Sequence, residues 1–392
     1  MTFGAVSAKP PLSGVRVLDL SRILPGPFAS MVLSDLGAEV TNVVMPKMID
    51  PLLAWFPSGP AHAMLSATLY RGKKSAVINF KKEEGRRLVL RLAKQADVFI
   101  EGFRAGTLSK IGLGYRDIVR VNPKIIYCSL SGYGQTGPMR HWASHDINYL
   151  AYAGLLSLVG EAGRPPVLAP LPIGDIGGGS LFAAIAVIAA LYERKISGRG
   201  QFVDAAILDG LFSWMFLPYA EHLANGGLKR GCLQLAGRDP FYGVYETADG
   251  RHLAVGAVEM VYRERLLTLV GREDLKQYLG DIGRWEFLRK ELSTILKTKT
   301  LEQWRAILEG PETCVSPVLT LDEALTNDHL QARGRVRKGA LPMIGHPFAF
   351  SRSKIKTRLK PFRVGRDTLG VLRGLGLKTE RINDLRRKRI VQ

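Results

Sequence analysis

The apolar and polar positions alternate over Val15-Arg16-Val17-Leu18-Asp19-Leu20, a β-rich run that reads as a strand. The Pro/Gly loop Leu24-Pro25-Gly26-Pro27 follows. Residues 28–36 then take helical spacing, and Gly37 stands at their C-terminal stop. Residues 40–44 read as the next strand. A strand, a helix and a strand in so short a length make a βαβ unit, and with it a parallel sheet. The pattern then repeats. Residues 82–94 are a helix candidate, 96–101 a strand, and 102–106 the loop at its carboxyl end. Residues 125–130 are a further strand, running into the Gly-rich loop 132–138. Ligands of open α/β sheets bind at such carboxyl-end loops. No G-x-G-x-x-G follows the first strand, so the usual nicotinamide fingerprint is missing.

The longest apolar run, residues 181–192, is shorter than the ~18 residues that span a bilayer, and reads as a buried helix rather than a membrane span. Residues 198–204 break and re-enter a strand, and 207–224 read as one long apolar helix. The character then changes. Residues 242–247 and 252–256 flank Ala248-Asp249-Gly250, a hairpin signal, and helices are expected at 259–269, 285–296 and 301–308. The expected organisation is a large α/β domain over 10–227, a smaller α+β domain over 228–325, and a return to the large domain over 335–392.

Composition adds bounds. A chain of 392 residues, 46% apolar, suits two domains with sizeable cores. The net charge of +20 is concentrated: residues 352–392 hold 14 Lys/Arg against 3 Asp/Glu. That fits an anionic ligand or a solvated surface, and nucleic-acid motifs are absent. Cys128, Cys232 and Cys314 are scattered, with no C-x-x-C and no Cys/His cluster. Neither a disulfide framework nor a metal site is expected, and a reduced, cytoplasmic setting is. Residues 1–9 lack a signal-peptide pattern, and Ile390-Val391-Gln392 is not a peroxisomal tripeptide.

The candidate chemistry lies between Ser144 and Ser180. Ser144-His145-Asp146-Ile147-Asn148-Tyr149 sets a histidine beside a carboxylate at a helix start, where Asp146 can cap or hold a backbone amide. Histidine titrates close enough to neutrality to serve as base and as acid. Asp175 precedes Gly177-Gly178-Gly179-Ser180. A helix cap is one reading of it and a catalytic carboxylate the other. Three glycines there suggest close approach of a ligand, with their amides as donors to a developing oxyanion.

These motifs, HDINY and GD-x-GGGS, closely resemble those of the α-methylacyl-CoA racemases, a branch of the family III CoA-transferase (CaiB/BaiF) family, over about residues 10–335. The resemblance implies a Rossmann-like large domain and an interlocked homodimer. It also implies inversion at C2 of 2-methylacyl-CoA thioesters in fatty-acid metabolism. His145 and Asp175 would be the two proton-transfer bases, Asp146 the neighbour of His145, and Glu259, in Ala254-Val255-Gly256-Ala257-Val258-Glu259, a partner that orients His145 from the other subunit. Coenzyme A, part of the substrate rather than a cofactor, would be contacted at Ile78, Asn79, Phe80, Lys81, Gly102, Phe103, Arg104 and Lys110. Ser144, Asn148 and Tyr149 complete the expected site. One departure stands out: Met45 occupies the position of a nucleotide-contacting Arg, with Lys47 nearby. Two alternatives stay open. One is a CoA transferase using Asp175 as nucleophile. The other is a binding protein that has lost activity.

Overall fold

The strand expected at 15–20 folds as β1, Arg16–Asp19, with β2 at Glu39–Val44, β3 at Lys74–Val77, β4 at Val98–Glu101, β5 at Ile126–Ser131 and β6 at Phe202–Ala206. This computed structural model describes residues 9–48, 50–310, 312–337, 343–355 and 362–392. All six strands are parallel, in the order β3-β2-β1-β4-β5-β6. Val17 of β1 pairs with Val40 on one side and Val98 on the other, so the strand order reverses at β1 and β4. In a Rossmann-like sheet that reversal opens a crevice at the carboxyl ends of the strands. β4 and β5 are buried along their whole length, as strands covered on both faces must be.

Contacts divide the chain into two compact units. The first comprises residues 1–153, 169–214 and 328–392, and the second comprises 154–168 and 215–327. The second unit therefore takes in the expected 228–325 and also 154–168 and 215–227. In the first unit, helix α1 (Pro25–Asp35) begins directly after the β1 loop, with prolines in its first turn, where a missing N–H costs nothing. The C-terminal residues Leu372, Leu375, Ile382, Leu385, Ile390 and Val391 pack into the same core as Leu18, Phe99 and Tyr127. Of the basic C-terminal stretch, residues 356–361 lie outside the described residues.

In the basic turn 71–74, Arg71 and Lys73 are buried and Lys74 is exposed. Arg71 Nε donates to Asp35 Oδ1 at 2.7 Å. Lys73 is buried, donating to the Pro27 carbonyl at 2.7 Å and to Ser30 Oγ at 2.8 Å, with Asp19 3.9 Å away. Burial pulls the Lys73 amine down to about 8. Lys73 thus holds the first turns of α1 and Arg71 its last residue, instead of meeting solvent.

Two helical expectations are corrected. The run at 181–192 is part of a continuous helical stretch, Gly174–Ser197, 24 residues long, which by length and composition alone could cross a membrane. Here Ala183, Ala184, Val187, Ala190 and Leu191 of its α-helical part are buried, and that part packs against β5, β6 and α1. The run is not buried all round: Ile185, Tyr192 and Ile196 lie exposed. The expected helix 207–224 is split into Ile207–Phe212, a 3-10 turn at Ser213–Met215, and Phe216–Asn225. Pro218 explains the break, because it has no N–H to offer the carbonyl four residues back.

The second unit holds an antiparallel sheet of β7 (Tyr242–Glu246), β8 (His252–Gly256) and β9 (Val315–Pro317). The hairpin expected at Ala248-Asp249-Gly250 joins the first two. Helices Met260–Leu269, Trp285–Leu296 and Leu301–Leu308 enclose a core around the fully buried Trp304, Leu288 and Leu292.

Candidate active site

A cavity of about 600 Å³ lies in the first unit, at the carboxyl ends of β1, β4 and β5. The loop after β1 brings Arg22, Ile23, Pro25 and Gly26. The loop after β4 brings Gly102, Phe103, Arg104 and Thr107. The end of β5 and the segment beyond bring Ser131, Tyr133, Arg140, Trp142, Ser144, His145, Asn148 and Tyr149, and Asp175 joins from a fourth segment. Asp175 is the one carboxylate among these lining residues, against Arg22, Arg104 and Arg140.

His145 stands at the N-cap of helix α2, Asp146–Tyr152, in an extended conformation. Its backbone N–H donates to Asn148 Oδ1 at 2.9 Å, and its carbonyl accepts the Asn148 N–H at 2.9 Å. Asn148, three residues into the helix, thus reaches back to fix the cap. Ser144 Oγ donates to the Tyr149 hydroxyl at 2.8 Å. That hydroxyl lies against Gly132, where an added Cβ would come within 2.4 Å of it. The Gly-rich loop and the His145 helix are locked together at this point.

Asp146, beside His145, turns to the segment that carries Asp175. Its Oδ1 accepts the backbone N–H of Asp175 at 2.8 Å, and Gly174 donates to the same carboxylate. Gly174–Leu181 is wound as a π-helix, a wide turn that favours functional sites. Ser180 Oγ bonds the Asp175 carbonyl at 2.9 Å and the Pro25 carbonyl at 2.8 Å, fastening this turn to α1. Burial, then the nearby charge of Asp146, raise the Asp175 carboxyl to about 7. Burial also raises Asp146, against the two amides that favour its charged form.

The three glycines are buried in close packing, and none of them lines the cavity. A Cβ at Gly177 would meet the Trp214 ring at 2.2 Å, and one at Gly178 would meet the Ile207 carbonyl at 2.7 Å. Gly210 answers from the facing helix, where a Cβ would sit 2.0 Å from the Gly178 carbonyl. The π-turn and helix Ile207–Phe212 approach closely at Gly178 and Gly210, and this brings Asp175 to the cavity wall.

The other expected residues fall elsewhere. Ile78 and Phe80 are buried in the core, so their side chains face away from solvent. Asn79 donates its N–H to the Ile390 carbonyl at 2.7 Å. Lys81 is exposed, as is Lys110 on the 3-10 turn Ser109–Ile111, and neither lines the cavity. Glu259 belongs to the second unit, where it is exposed at the N-cap of Met260–Leu269. Met45 packs against the core of the first unit, as an apolar side chain does.

The sequence reading missed Arg22, Ser131, Tyr133, Arg140 and Trp142. The Arg22 guanidinium sits 5.6 Å from the Phe103 ring centroid and 3.8 Å from Met48 Sδ. Arg22 follows β1 directly, so the carboxyl-end rule that drew attention to Gly102–Arg104 also pointed to it. Tyr133 packs edge-on against Trp142 and Tyr149, with centroids 6.4 and 5.4 Å away. Only the fold brings that wall together.

The chain matches the profile of CoA-transferase family III over residues 12–368, and it belongs to that family. An alpha-methylacyl-CoA racemase of Mus musculus is 36% identical over 391 residues, covering 97% of both chains. A succinyl-CoA:glutarate CoA-transferase of the same animal is 33% identical, over 93% of this chain and 86% of the relative. The crystal structure of a CAIB/BAIF family protein from Brucella suis superposes with a TM-score of 0.81, at 29% identity, over 94% of this chain and 100% of that one.

Proposed function

We propose that this enzyme inverts the C2 centre of 2-methylacyl-CoA thioesters by proton transfer between two bases. The observation that carries the reading is the placing of His145 and Asp175 on one cavity, with the Asp175 carboxyl raised to about 7. The thioester carbonyl makes the C2–H bond acidic. One base takes the proton, and the C–H electron pair moves into an enolate. The conjugate acid of the other base then protonates C2 from the opposite face. Asp175 serves one face and His145 the other. A carboxyl titrating near neutrality can serve as base when ionised and as acid when protonated, as inversion in both directions requires.

Arg22, Arg104 and Arg140 support an anionic substrate such as the phosphate-bearing coenzyme A. The thioester brings the coenzyme with it, and no further cofactor takes part. A second copy of the chain covers the exposed apolar side of Phe182–Ser197, including Ile185, Tyr192 and Ile196, in the homodimer that accompanies this reading. Glu259 then orients His145 from that copy. The three free cysteines accord with a reducing, cytoplasmic setting.

The likeness to the succinyl-CoA:glutarate CoA-transferase favours a second reading, in which Asp175 attacks the thioester and carries the acyl group as an anhydride. Incubation with a pure (2R)-2-methylacyl-CoA, with and without a carboxylic acid acceptor, separates the two. Loss of optical purity without acceptor is expected. Retained purity with acceptor-dependent movement of coenzyme A would make the protein a transferase.

A further inference from the structure

We propose that the Ser131 hydroxyl is a positioning group that donates a hydrogen bond to a carbonyl oxygen of the acyl-CoA. This rests on the acyl-CoA reading of the cavity. Ser131 is the last residue of β5, only 8% exposed, and it lines the cavity. Its Oγ is buried and finds no hydrogen-bond partner among the described residues.

Its neighbours make the omission informative. Ser129, two residues back on the same strand, donates to Glu101 and accepts from Gln135 Nε2 at 2.8 Å. Ser144 is bonded to Tyr149, and Ser180 to two carbonyls. A buried hydroxyl without a partner costs free energy, and native folds keep few such groups without a reason. The position is also rigid, because Ser131 pairs with Ala206 in the sheet. It lies between Leu130, whose carbonyl is 3.6 Å from a Cβ built on Gly102, and Gly132, packed on the Tyr149 hydroxyl. The Ser131 backbone is therefore held between the loop after β4 and the His145 helix. A fixed, unsatisfied donor in a substrate cavity suits a carbonyl acceptor. Acyl-CoA offers such acceptors in the amides of its pantetheine arm and in the thioester itself.

The test is Ser131→Ala, read three ways: thermal unfolding of the free protein, affinity for free coenzyme A, and kcat and KM with a 2-methylacyl-CoA. The free variant should unfold at the wild-type temperature or higher, because an orphan hydroxyl is removed. Ligand handling should weaken roughly three- to tenfold, the usual worth of one hydrogen bond. A loss in coenzyme A affinity with kcat held assigns an arm amide. A loss in kcat with that affinity held assigns the thioester carbonyl. A lowered unfolding temperature with binding and turnover intact would overturn the proposal in favour of a structural hydroxyl, and so would no change in any readout. A wild-type protein that takes up no coenzyme A would instead overturn the acyl-CoA reading itself, and the Ser131 assignment with it.

Discussion

Asp146 accepts the backbone N–H of Asp175 at 2.8 Å, so the residue beside one proposed base holds the main chain of the other. His145 caps the helix that Asp146 begins, and Asp175 opens the π-turn that Asp146 anchors. This carboxylate ties the two proposed bases together, alongside the Ser180 bonds and the Gly178–Gly210 crossing. Proton transfer is sensitive to misplacement of about an ångström, which can cost about 10²-fold in rate.

Asp146→Ala should therefore lower kcat by roughly ten- to a hundredfold with little change in KM. Asp146→Asn keeps an oxygen that can accept the amide, and should recover much of the rate. Steady-state kinetics on both variants checks this. Equal losses in the two would mean that the charge, and not the tether, is what matters.

The charge leaves a separate trace. Asp146 is the second cause of the raised Asp175 carboxyl, after burial. Asp146→Asn should thus move the Asp175 limb of the pH–rate profile downward from about 7. On the two-base reading, the productive enzyme holds one proton shared by His145 and Asp175. Hence kcat/KM for the two epimers should trace one shared bell, falling where both bases are protonated and where both are bare. Profiles that differ between epimers would contradict a shared proton.

Stability carries the same group with the opposite preference. A carboxyl raised from 3.8 to about 7 binds a proton in the fold that the unfolded chain has already lost. That contribution is full below about pH 4 and vanishes as pH rises through about 7. Asp175→Asn should then flatten the decline in stability between pH 5 and pH 8, as read by urea denaturation at the two values. An unchanged decline would mean that Asp175 titrates at its ordinary value.

Gly210→Ala should destabilise the first unit by about 1–3 kcal/mol, because the new methyl meets the Gly178 carbonyl at the tightest crossing in the site. Activity should fall as well, since the π-turn carries Asp175. Denaturant midpoints and kcat measured together check the link. A stable, active variant would mean that the crossing has slack.

Much of this was legible in the sequence. Alternation at 15–20 and helical spacing at 28–36 gave the βαβ unit, and the HDINY and GD-x-GGGS motifs marked His145 and Asp175. The role of the glycines was not legible, because Gly177 and Gly178 face Trp214 and Ile207, more than 25 residues away. Glycine that admits a ligand and glycine that admits a helix look alike in one dimension. The burial of Lys73 was not legible either, because Asp19 and Ser30 come to it only in the fold. Arg22 was legible from its place at the carboxyl end of β1, but that rule was applied only to the loops after β4 and β5.

The central claim is that two bases work on opposite faces of C2, and one measurement addresses it most directly. Proton NMR in deuterated water would follow the C2 signal of pure (2R)- and (2S)-2-methylacyl-CoA with the wild type, His145→Ala and Asp175→Ala. The wild type should exchange and racemise both epimers. Each variant should fail to racemise, yet exchange the C2 proton of one epimer, a different one for each variant. Full racemisation by His145→Ala, or exchange in no form of the enzyme, would contradict the two-base account.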